Sequence, residues 1–100
     1  MVLFGFGKKK PAEMIDLKSL LTSDELTLLV EELRKVANRV PGETSSIMAA
    51  TAESLLAGDS GPKKQILDLC ISALNMTNSF KEASEGNREL VEKLEGIKKG

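Results

Sequence analysis

The stretch Thr22–Gly42, TSDELTLLVEELRKVANRVPG, carries a complete helix with its own start and stop. Thr22 followed three residues later by Glu25 is a capping box, and Asp24 and Glu25 place negative charge at the positive end of the helix dipole. Apolar residues then recur at Leu26, Leu29, Leu33, Val36 and Val40, spacings of three and four that put them on one helical face. Leu28, Val30 and Ala37 widen that stripe. Glu31, Glu32, Arg34 and Lys35 fall outside it and read as the solvated side, with Glu31 and Lys35 as an i,i+4 pair. Pro41-Gly42 stops the helix. Upstream, Leu17, Leu20 and Leu21 suggest one short extra helical turn.

Two more helical segments follow. The second spans about 44–57, with Glu43, Thr44 and Ser45 as competing caps and Glu53 as its one internal charge. Ile47, Met48, Ala49, Ala50, Ala52, Leu55, Leu56 and Ala57 make it apolar nearly all round, the pattern of a central helix. Gly58-Asp59-Ser60-Gly61-Pro62 ends it. The third spans about 62–98. Ser60 or Gly61 can cap it, and Pro62 fits its first turn. From Ile66 to Ile97 one heptad register runs without a skip, through Ile66, Ala73, Phe80, Asn87 and Leu94 at a and Leu69, Met76, Ala83, Leu90 and Ile97 at d. That register favours one long helix, while Ser84-Glu85-Gly86 marks where a break would fall. Strand signals are absent. The expected fold is all-α, an antiparallel bundle of three principal helices (about 22–40, 44–57 and 62–98) in one domain over 13–100, the third helix either long or broken near residue 86. The loops are short, so consecutive helices should be antiparallel neighbours.

The chain has 100 residues, enough for one domain with one modest core. It has no His, Trp or Tyr and a single Cys. Cys/His zinc sites, His-based nucleophile pairs and an internal disulfide are therefore ruled out. Acidic neighbours such as Asp24/Glu25 and Glu31/Glu32 splay about 100° apart on a helix and read as caps and solvated faces. Gly58–Lys64 lacks the spacing of a phosphate loop. Asn75-Met76-Thr77 matches a glycosylation sequon but lies mid-helix. Cys70, among apolar neighbours, reads as a small buried hydrophobe. No catalytic, cofactor or metal role is expected for any residue.

The net charge of −1 is unevenly spread. Residues 1–12 carry +3, residues 13–61 carry −5 and residues 62–100 carry +1. The acidic body and three aromatics, all Phe, make nucleic acid an improbable partner. The first twelve residues form a segment of their own, with Leu3, Phe4 and Phe6 beside Lys8, Lys9 and Lys10 and then Pro11. Such residues bury against the bundle, against a partner, or in the headgroup region of an anionic membrane. No signal peptide or membrane span is visible, and the expected location is cytoplasmic, with membrane association open.

These features point to a non-enzymatic interaction or assembly module that associates with itself or a helical partner. The alternative is a peripheral membrane protein held by residues 1–10. The candidate contact residues are Leu3, Phe4, Phe6, Lys8, Lys9, Lys10, Phe80, Asn87, Leu90, Leu94 and Ile97. Leu90, Leu94 and Ile97 form a narrow stripe that a three-helix body would leave bare, which predicts self-association through 80–97. Asn87 either specifies pairing at an a position or faces solvent at a helix break.

Overall fold

The computed structural model describes residues 13–100. The fold is all-α. Its elements are β1 (Met14–Ile15), α1 (Leu17–Leu20), α2 (Ser23–Arg39), α3 (Gly42–Ala57), β2 (Gly61–Pro62), α4 (Lys63–Ser79) and α5 (Asn87–Lys99). The expected extra turn is α1, capped by the Asp16 carboxylate on the Lys18 amide. The capping box of α2 is formed in both directions: Thr22 Oγ1 accepts from the Glu25 amide at 3.1 Å, and Glu25 Oε1 accepts from the Thr22 amide at 2.8 Å.

Helix α2 is the centre of the bundle. It packs on α3, α4 and α5, and it buries Leu26, Leu29, Val30, Leu33 and Val36. The wide stripe read from the sequence is thus covered from three directions. Expectation placed the next helix at the centre, and the structure places it at the edge. Helix α3 packs chiefly on α2 and lightly on α1. It buries only Met48, Ala52 and Leu55, leaving Ile47, Ala49, Ala50, Leu56 and Ala57 exposed. Its apolar residues are spread around the axis and not gathered into a stripe, and alanines gain little from burial, so one face suffices.

The Pro41-Gly42 stop is so abrupt that α3 begins at Gly42, whose φ of 71° is the left-handed turn between the two helices. None of the polar cap candidates caps α3, which starts from Pro41 without a side-chain cap. Ser45 instead donates its hydroxyl to the Ala37 carbonyl of α2, pinning the hairpin. Gly58 closes α3 in the left-handed conformation, its amide bonding to the Leu55 and Ser54 carbonyls. Pro62 is the residue that caps α4, one position before the first turn expected for it.

The connection from α3 to α4 does not make an antiparallel pair. Both helices rest on α2, and α4 pairs with α5. The turn carries a two-residue antiparallel ribbon that no strand signal announced: Met14 pairs with Pro62 and Ile15 with Gly61. A Cβ on Gly61 would meet the Cδ1 end of the Ile66 side chain, which would have to swing aside to admit it.

The third predicted helix is two. Helix α4 ends at Ser79, Lys81 turns left-handed at φ 61°, and Gly86 does the same at φ 92° to start α5. The heptad register is therefore not a continuous seam. Leu90 and Leu94 come back onto the chain's own core and are buried, and Ile97 is half-buried against it. A long exposed stripe would stay in water, whereas folding back at Lys81–Gly86 covers it at the cost of one strained residue, Lys81.

Candidate interaction surface

Asn87 and Glu32 form a buried polar cluster where α2, α4 and α5 meet. Glu32, placed by its flanking charges on the solvated side, is fully buried. It lies three residues after Leu29 and four before Val36, a position inside the apolar stripe. Its Oε1 accepts from Thr77 Oγ1 at 2.7 Å and from Asn87 Nδ2 at 2.9 Å. Its Oε2 accepts from Lys35 Nζ at 2.8 Å and from Ser84 Oγ at 3.3 Å. Asn87 also donates to Thr77 Oγ1 and the Leu74 carbonyl, and it accepts from Asn78 Nδ2. Asn87 therefore does not face solvent; its bonds within the chain hold α5 onto α2 and α4. Burial pushes the Glu32 carboxyl up, and the bonds from Lys35, Thr77 and Asn87 outweigh it, so Glu32 is held below its ordinary value.

Among the described residues no buried side-chain nitrogen or oxygen lacks a partner, and the cluster joins the three helices. A second tie runs along the same helices: Lys93 Nζ lies 2.6 Å from Glu25 Oε1, and that bond together with the Thr22 amide lowers the Glu25 carboxyl. Glu25 thus caps α2 and anchors α5 at once.

Of the other predicted contact residues, Leu90 and Leu94 are occupied within the chain, Ile97 lies against the core, and Phe80 is half-buried under the Arg39 guanidinium, 4.7 Å from its ring centre. The 80–97 stripe is thus not a bare surface. Leu3, Phe4, Phe6, Lys8, Lys9 and Lys10 lie outside the described residues.

Among the described residues the exposed large apolar side chains are Met14 in β1, Leu20 in α1, and Ile47 and Leu56 on α3, the last two on one helix. Ile47 and Leu56 are 44% and 42% exposed. At 100° per residue they flank a ridge made of Gly42, Ser46, Ala49, Ala50, Glu53 and Ala57, all exposed. Beside Ile47 lies a groove of about 290 Å³, walled by Ala50, Thr51 and Ser54 on one side and by Ser60, Gly61 and Ile66 on the other. It lies where α3 and α4, which both pack on α2, do not pack on each other. Sequence reasoning missed this surface because an apolar helix suggests burial. The signal was present in the even spread of its apolar residues.

No family model, curated protein or solved structure matches this chain. The chemistry of the site residues therefore has to carry the reading alone. Cys70 is buried and its thiol is pushed up to about 12 by burial, which makes it inert. Among the described residues no three Cys, Asp or Glu side chains gather as a metal site, and no helix is long and apolar enough to cross a membrane.

Proposed function

We propose that this chain is a non-enzymatic interaction module that self-associates through the outer face of α3. The observation that carries the reading is the exposure of Ile47 and Leu56 on either side of a ridge whose residues, apart from Glu53, are small. Contiguous apolar surface on a folded element marks contact sites. Small residues between Ile47 and Leu56 let a second helix approach to about 8 Å.

The occupant is a second copy because the ridge is self-complementary. An antiparallel two-fold centred between Ala49 and Ala50 sets Ala49 against Ala50, Ser46 against Glu53 and Gly42 against Ala57. Every ridge residue thus meets another ridge residue, as an isologous interface requires. Glu53 finds a hydroxyl opposite it, and Arg34, 3.4 Å away on its own chain, offsets its charge. The 16 residues of α3 offer a strip roughly 24 Å long and 10 Å wide. That is well short of the roughly 800 Å² per partner of a stable complex, so the dimer is a weak one, with dissociation in the high-micromolar range.

Light scattering across a concentration series tests it. The chain should approach dimer mass at several hundred micromolar. Ala50→Glu places charge on both sides of the two-fold without touching the core and should stay monomeric with an unchanged melting temperature. A monomer at every concentration, or an Ala50→Glu variant that still dimerises, overturns the reading.

A further inference from the structure

We draw no further inference here: the strongest candidate, the groove between α3 and α4 lined by Ile47, Ala50, Thr51, Ser54, Gly61 and Ile66, carries nothing because nothing in the structure shows what covers it.

Discussion

Replacing Glu32 by alanine probes whether the buried cluster holds the last helix in place. The carboxylate has no exposed surface and accepts bonds from Lys35, Thr77, Asn87 and Ser84. A hydrogen bond to a charged group is worth about 1.5–3 kcal/mol, and breaking a buried ion pair by removing one member costs about 3–5 kcal/mol. The partners are not stranded, which moves the expected loss to the lower end. Thr77 Oγ1 keeps the Leu74 carbonyl at 3.0 Å. Asn87 Nδ2 keeps Thr77 Oγ1 at 3.1 Å, and Lys35 Nζ keeps the Glu82 carbonyl at 2.8 Å and Ser84 Oγ at 2.7 Å. A loss of about 3 kcal/mol follows, a large share of the roughly 5–15 kcal/mol of a domain. In urea, with a slope of about 1–1.5 kcal/mol per molar, the midpoint should fall by about 2–3 M. The pH dependence gives a second reading. The folded Glu32 pKa lies below the unfolded one, so its carboxylate stabilises the fold above the ordinary carboxylate range, and that stabilisation fades as pH falls through the folded value. The variant should lose less stability on acidification than the parent. Glu31→Ala, on the exposed neighbour, should change little. A midpoint shift under about 0.5 M for Glu32→Ala, or an unaltered acid dependence, would refute the argument that this carboxylate clamps α5.

Three further outcomes are expected. Leu55→Ala should cost about 2–5 kcal/mol in chemical denaturation and Leu56→Ala under about 1 kcal/mol, because only the first faces the core; similar losses would mean that α3 is turned differently. Gly86→Ala should cost about 1–2 kcal/mol from left-handed backbone strain alone, since its new Cβ would sit at an ordinary 3.4 Å from Leu28 Cδ2; a thermal melt matching the parent would contradict the turn. Cys70 should react with a thiol reagent only at the rate of unfolding, and rapid labelling of the native protein at mildly alkaline pH would show that it is not sealed in the core.

By itself the sequence determined the helical class, the capping box of Thr22 and Glu25, the core stripe of α2, the short turn at Leu17–Leu20 and the punctuation at Pro41-Gly42 and Gly58–Pro62. All of these rest on interactions within a few residues, where spacing and residue type are sufficient. It also held both outcomes at Gly86, because a heptad pattern is satisfied equally by a partner chain or by the chain's own core. Only the tertiary structure decided between them. Folding back at Lys81–Gly86 brings Asn87, read either as a pairing residue or as facing solvent at a break, to Glu32, 55 residues away and read as solvated surface, and makes the two the lock of the bundle. The same long-range geometry seats α4 on α2 and leaves α3 at the edge. Burial of a helix face depends on how many neighbours reach it, and that number is set by contacts between segments that local spacing does not encode.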